Sequence, residues 1–416
     1  MLDKVRDIYR ENKFIIYLFL IAFLLRVGVV LTIHTPIISD FKTMYDASIE
    51  LLNHTDSYKN SSYFLLWGYQ MGHVIYQSLL LHMINSVTFL KIMNALITSF
   101  SVVLIYLLCR KVSKEKYAKM MSIFYMIFPF PLLLNTVLTN QLLPVTLTLL
   151  GIYLLVGLDY KNKFIHKSII IGLLIGLANI LRSEGIVILF GIFLYSFLLL
   201  IQRYDWKKII CSFLLIVVSY FSIFQVTSYV LEKTNISPNG LNNGNTTWKF
   251  VLGFNYETNG MYSEEDASIY AGFSEKSKEI VRERLQEYQN IPMLFIRKIK
   301  IQWINSDLSW SIGHIENRKL YHVFNTINQI FIIVLLLLAV VGAYCILRYQ
   351  FFIRDKVNRT SLIAFMILFT YFGVYLLIEV MPRYAYSLQI FEVILASIGL
   401  EFICDNLLKK QLSKKE

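Results

Sequence analysis

The sequence predicts an all-α polytopic membrane protein of about ten transmembrane helices, with interfacial helices in its first outer loop and one large outer loop. Three observations predict it. Of the 416 residues, 56% are hydrophobic and only 16% are charged, whereas a soluble globular domain carries about 25% charged residues. Apolar runs of the roughly 20 residues that a helix needs to cross about 30 Å of hydrocarbon recur along the chain. Lys and Arg gather in alternate connections between those runs, as cytoplasmic loops do. That bias accounts for the net charge of +12, so nucleic acid is not called for as a partner.

In chain order the expected spans are 14–33, 86–108, 120–137, 140–158, 168–181, 186–201, 209–230, 325–347, 361–380 and 384–404. The first follows basic residues, as a signal peptide would, but it is long and lacks a small-x-small cleavage pattern, so it reads as an uncleaved anchor. Residues 62–84 are apolar enough for a further span, and charge decides against it. Arg110, Lys111, Lys114, Lys116 and Lys119 make 109–119 cytoplasmic, which requires 62–84 to stay at the outer interface; Gln70, Gly72, His73 and Gln77 suit that placement. The basic segments 1–13, 109–119, 159–167, 202–208, 348–359 and 405–416 then all face inward. The connections 135–139, 182–185 and 381–383 hold only Arg182 and Arg383. Both termini are expected in the cytoplasm. Cys109, Cys211, Cys345 and Cys404 fall at cytoplasmic helix ends, where thiols stay reduced, and no CxxC or Cys/His cluster suggests zinc.

This divides the chain into an N-terminal membrane module (1–230, with the first outer loop 34–85), an outer loop or lid (231–324) and C-terminal membrane helices (325–416). Within the lid, 291–305 mixes apolar and basic residues at helical spacing, as an interfacial helix does.

Chemistry is expected where charge stands at outer helix ends. Asp40 lies just beyond the first span and Asp46 six residues later, about 600° around a helix. They are either solvated loop acids or a functional pair, with Asp40 ending the loop and Asp46 on the next helix. The spans 168–181 and 186–201 rise only about 21 and 24 Å, which would draw Arg182-Ser183-Glu184-Gly185 below the surface; recessed charges are costly, and are either paired or functional. Between the last two spans, Glu379 and Arg383 are four apart across Pro382. Arg383 with Tyr384 and Tyr386 makes a cationic aromatic patch, fit either for interfacial anchoring or for a lipid phosphate. Arg26 has no acidic neighbour on its own helix and should snorkel or pair across helices; Asn94, Asn179, Gln225 and Asn328 read as helix–helix glue.

Taken in order, Leu25-Arg26 closing the first span, Ser39-Asp40-Phe41 and Tyr45-Asp46 opening the outer loop, the helix 62–84, the basic exit Cys109-Arg110-Lys111, Arg182-Ser183-Glu184-Gly185 and Pro382-Arg383-Tyr384 resemble the GT-C superfamily of membrane glycosyltransferases, of the protein mannosyltransferase and aminoarabinose transferase type. The resemblance implies an inverting transfer of a sugar from a polyprenyl-phosphate carrier to an extracytoplasmic acceptor: a glycan, cell-wall polymer, lipid or protein. It implies Asp40 as general base, Asp46 positioning acceptor or base, and Tyr45 and His73 lining the sugar pocket. Arg182, Arg383 and Tyr384 would take the donor phosphate, oriented by Glu184 and Glu379. The lid would cover the site, its Gly253-Phe254-Asn255 and Asn259-Gly260 turns approaching the sugar. Two departures count against a divalent metal: Phe41 follows Asp40 where Asp-Glu is frequent, and Thr139-Asn140-Gln141 stands where an acid often opens the fourth span. Other readings of the same features are a polysaccharide ligase or polymerase with a lipid-pyrophosphate donor, and a transporter or lipid flippase, although the inverted repeats frequent in transporters are missing.

Overall fold

The computed structural model of the protein describes residues 2–158, 163–202, 205–287, 290–348 and 358–412. Parts of the expected cytoplasmic segments 1–13, 159–167, 202–208, 348–359 and 405–416 therefore lie outside the described residues. The described chain is helical, its one β-bridge joining Trp67 to Asn243. Helix α1 (Leu2–Thr32) leads to α2 (Ser39–Leu52), α3 (Ser62–Leu66) and α4 (Met71–Met83). Then come α5 (Val87–Val112), α6 (Glu115–Ile127), α7 (Pro129–Leu133), α8 (Leu142–Val156), α9 (Phe164–Leu181), α10 (Gly185–Ile201) and α11 (Trp206–Lys233). Five short helices follow, α12 (Trp248–Gly253), α13 (Glu264–Tyr270), α14 (Ser274–Glu287), α15 (Ile291–Ile299) and α16 (Ser309–Ile312), before α17 (Arg318–Cys345), α18 (Arg359–Leu377) and α19 (Tyr386–Leu412).

Local chemistry sets several of these boundaries. Ser86, Asp205 and Asn358 accept backbone N–H groups in the first turns of α5, α11 and α18, satisfying donors that a helix start leaves orphaned. Phe128 precedes Pro129 and is forced out of the helical region, with ψ 122°. The expected span 120–137 is consequently broken: α6 and the stretch 129–136 meet at 51°.

Among the described residues, seven helices are long and apolar enough to cross a membrane, or eight if the bent pair counts as one span. Two more of the ten expected spans, α8 and α10, are shorter apolar helices. The expectation of a short span at 168–181 needs correcting. That helix starts at Phe164 and its 18 residues rise about 27 Å, against about 26 Å for the 17 of α10, so both are longer than expected and still under the roughly 30 Å core. The stretch 62–84 is not one helix. A turn at Trp67 and a 3-10 segment, Gly68–Gln70, separate α3 from α4, whose 13 residues rise about 20 Å. A Cβ on Gly72 would lie 1.9 Å from the Ile180 carbonyl oxygen, so the missing side chain is what lets α4 lie against the end of α9.

One bundle end ties the chain's first and last helices together. Tyr106 bonds Glu11, Lys114 and Tyr117 bond Asp405, and Asn358 bonds the Lys111 carbonyl. The other end carries the α1–α2, α9–α10 and α18–α19 connections, roofed by the helices between α11 and α17. Arg284 grips Asp266 with both terminal nitrogens, and Asn255 donates to the same carboxylate, which fixes that roof internally. Within the bundle, Arg26 is fully buried and donates to Thr98 and to the Ala22 carbonyl, so it crosses to a neighbouring helix rather than snorkelling. Asn94, Asn179 and Asn328 join separate segments through side-chain bonds. Gln225 is exposed.

Candidate functional site

The α1–α2 connection is held from three sides. Thr35 donates to Thr136 and the Ser311 carbonyl, and its own carbonyl accepts Lys91. Ser39 adopts a left-handed φ of 53°, and α2 starts there. Asp40 thus sits in the first turn of α2, where the helix dipole favours an anion, and not at the end of a loop as expected. Asp46 lies on the same helix but on another face, paired with Lys42 at 2.6 Å in solvent. Tyr45 packs against the cluster of Leu80, Leu81, Leu90 and Leu138.

Arg383 faces Asp40 at 3.8 Å (Nη2 to Oδ2). It reaches that position from Pro382–Ala385, a 3-10 turn with proline at its start. The guanidinium carbon lies 4.1 Å from the Trp310 ring centroid, 5.3 Å from Phe41 and 5.6 Å from Tyr384. Nη1 is buried without a hydrogen-bond partner. A cation held by aromatic faces, with one loose acid and a spare donor, retains capacity for an anionic ligand.

Arg182 approaches the other side of the cluster. It is bonded to Glu184 and to Asn140 Oδ1 (2.9 Å), and lies 5.3 Å from the same Tyr384 ring. Burial alone would lower its proton affinity, but Glu184 and the tyrosines Tyr375 and Tyr384 outweigh it and hold the guanidinium above its ordinary value. Glu184, besides its bond to Arg182, accepts the Tyr371 hydroxyl at 3.0 Å.

Glu379 does not orient Arg383. The backbone at Ile378 and Met381 is extended, so the four-residue spacing is not helical and the two side chains diverge. Glu379 instead binds Lys249 and accepts the Tyr384 hydroxyl at 3.2 Å. Lys249 was not among the residues singled out from sequence. It is the one cation in the apolar stretch Trp248-Lys249-Phe250-Val251-Leu252-Gly253, and only tertiary contact reveals it. His73 is buried beside Tyr76, with Nε2 unpartnered. Burial pulls its pKa down to about 4, against a backbone hydrogen bond at Leu138.

The glycine turns of the roof meet protein rather than open space. A Cβ on Gly253 would stand 2.2 Å from the Leu377 carbonyl oxygen. The Gly260 carbonyl accepts Val380 N–H at 2.8 Å, and Asn259 accepts Arg297. The expected helix at 291–305 forms, with Arg297 and Lys300 exposed and Lys298 turned inward. Lys298 is buried and donates to the Gly253 and Leu376 carbonyls, while Gln302 accepts Met381 N–H. The Val380–Gly260, Lys298–Leu376 and Met381–Gln302 bonds weld the roof to the segment carrying Glu379 and Arg383.

An apolar groove of about 440 Å³ runs between α10, α11 and α18, lined by Ile186, Phe190, Phe193, Phe213, Phe221 and Val374; its lining begins two residues after Glu184. The residue types fit a metal poorly. Asp40 faces a guanidinium, Asn140 serves Arg182, and among the described residues no three His, Cys, Asp or Glu side chains stand together.

This architecture has solved counterparts. The archaeal oligosaccharyltransferase AglB from Archaeoglobus fulgidus, in complex with an inhibitory peptide and a dolichol-phosphate, superposes with a TM-score of 0.55 at 12% identity over 98% of this chain and 52% of that one. The Archaeoglobus fulgidus oligosaccharyltransferase in its apo form gives 0.54 at 14% over 96% and 52%, and the form tethered to an acceptor peptide with the NVT sequon gives 0.55 at 13% over 94% and 50%. The chain spans about half the length of these proteins. Such likeness establishes a fold of the GT-C type and leaves activity to be argued from the site. No curated protein sequence matches the chain. A family profile matches residues 3–291, and the chain belongs to that family, described as conserved hypothetical integral membrane proteins.

Proposed function

We propose that the protein is an inverting glycosyltransferase that moves a sugar from a polyprenyl-phosphate carrier to an acceptor hydroxyl or other nucleophile on the extracytoplasmic face. One observation carries this reading. Asp40, from the start of the chain, stands against Arg383, from its end, while Arg182, from its middle, shares the Tyr384 ring, and an apolar groove begins at Ile186, four residues after Arg182. A carboxylate, a cationic cradle and a lipid-shaped groove are what the reaction requires.

In the proposed reaction Asp40 takes the acceptor proton as the acceptor oxygen attacks the anomeric carbon. The bond from that carbon to the phosphate oxygen breaks, and the lipid phosphate leaves with the electron pair. It is already a good leaving anion, so cationic stabilisation by Arg182 and Arg383 replaces a protonating acid. The groove would hold the first isoprenoid units, and membrane lipid would surround the rest. No step runs through a metal ion. The cations at the site are already matched by Glu184, Glu379 and Asp40, which favours a singly charged phosphodiester over a pyrophosphate. A transporter would place such charges nearer the midplane of its helices than at the helix ends.

The test is Asp40→Asn in membranes supplied with polyprenyl-phosphate sugar. Transfer should fall by at least about 100-fold, the scale of a lost general base, with expression and insertion unchanged. Near-normal turnover would remove Asp40 from the mechanism.

A further inference from the structure

We propose that Lys249 is a ligand of the donor phosphate, so that the roof between α11 and α17, and not the membrane helices alone, completes the donor site. The assignment rests on the donor reading above. Lys249 Nζ lies 5.9 Å from the Tyr384 ring centroid, the ring that Arg182 approaches to 5.3 Å. The Tyr384 hydroxyl donates to Glu379, the carboxylate that Lys249 binds, so both cations stand at one ring. Glu379 is buried, but more than a third of the Lys249 side chain is exposed, at 37%. An ammonium has three N–H donors, and its outward ones are directed away from the buried carboxylate.

The backbone fixes this position. The Lys249 carbonyl accepts Glu379 N–H at 2.9 Å, and Gly253, at the end of the same short helix, packs directly on the Leu377–Ile378 backbone. Lys249 therefore enters the site only when the roof is seated. Its point charge complements the forked guanidinium of Arg182: one follows the charge of a phosphate, the other its geometry.

Lys249 could be no more than the counterion of Glu379, and the two roles predict opposite signs. The purified full chain in lipid nanodiscs would be titrated with polyprenyl phosphate, and with polyprenol as a neutral control. Lys249→Gln should weaken phosphate binding about tenfold or more, the loss of one charged hydrogen bond, and Lys249→Arg should recover most of it. Glu379→Gln keeps an acceptor for Lys249 and Tyr384 but removes the competing charge, and should tighten binding. Polyprenol binding should not change in any variant.

Unchanged affinity in Lys249→Gln, or weakening in Glu379→Gln, overturns the assignment while leaving the donor reading intact. If Lys249→Gln fails to fold, the direction of the Glu379→Gln change alone decides. An unaltered protein that binds the phosphate no better than the alcohol overturns the donor reading and this assignment together.

Discussion

The two ends of the helical bundle use charge differently. At the far end Lys114 meets Asp405 and Glu401, Lys119 meets Glu115, and Arg110 meets Glu11, all with substantial exposure. At the site end, Arg182, Glu184, Glu379 and Arg383 are mostly shut in among tyrosines and a tryptophan. Exposed pairs add little stability and are screened by salt. Buried ones must overcome a desolvation cost of several kcal/mol per ion. Hydrophobic side chains would hold the site end together at least as well, so on the proposed function the charges there serve a ligand, whereas the exposed pairs at the far end add little to stability.

The largest expected effect breaks the site end. Arg182→Gln should lower transfer by about 100-fold or more. It should also cost about 3–5 kcal/mol in stability, because Glu184 is left buried without its partner. Adding Glu184→Gln should restore the thermal midpoint without restoring transfer. Recovery of both in the double variant would show that the pair is merely structural.

Next in size is His73. Its pKa falls to about 4 in the folded chain because burial disfavours the imidazolium, against about 6.5 when unfolded. Below pH 6.5 the unfolded chain binds the extra proton, so stability drops as the pH falls and levels off near pH 4. The total is about 3 kcal/mol. His73→Gln should flatten this part of the thermal stability profile, and equal slopes in the two proteins would disprove it. Activity between pH 5 and 8 should show no inflection from this residue.

Arg383→Ala sharpens the comparison within the site. Its guanidinium packs on aromatic rings and makes one long ion pair, 3.8 Å from a half-exposed Asp40, so its removal strands no buried charge. We expect weaker binding of polyprenyl-phosphate sugar, about tenfold, measured by titration, with a smaller stability loss than Arg182→Gln. Unchanged affinity would take Arg383 out of the donor cradle.

How much of this was legible in the sequence follows the same division. The spans could be read because hydrocarbon demands unbroken apolar runs, and the misplacements are local: a proline breaks 120–137, and α9 starts four residues before the expected 168. Arg182 stood out because charge at a recessed helix end is expensive, Asp40 because it lies just beyond the first span, and Arg383 with Tyr384 as a cationic aromatic patch between the last two spans. Asp46 and Tyr45 stood out for nearness in sequence alone, and the 3.6-residue turn carries them to other faces. Glu379 was matched with the wrong cation because its spacing to Arg383 has meaning only in a helix. Lys249 gave no sign, since its position depends on backbone pairing between residues 249 and 379, which no local pattern encodes.

The smallest expected effect belongs to the far end. Lys114→Ala removes a cation that bonds Asp405 and stands near Glu401, and 58% of its side chain is exposed. Water and salt take over from it, and Tyr117 still donates to Asp405 at 2.8 Å. Turnover and the thermal midpoint should both stay within error of the parent protein at physiological salt. A fall in turnover with an unchanged midpoint would be the informative result. It would mean that the α5–α6 turn and the end of α19 are coupled along α19 to the Arg383 turn at its other end. The charges of the two ends would then have to be treated as one system.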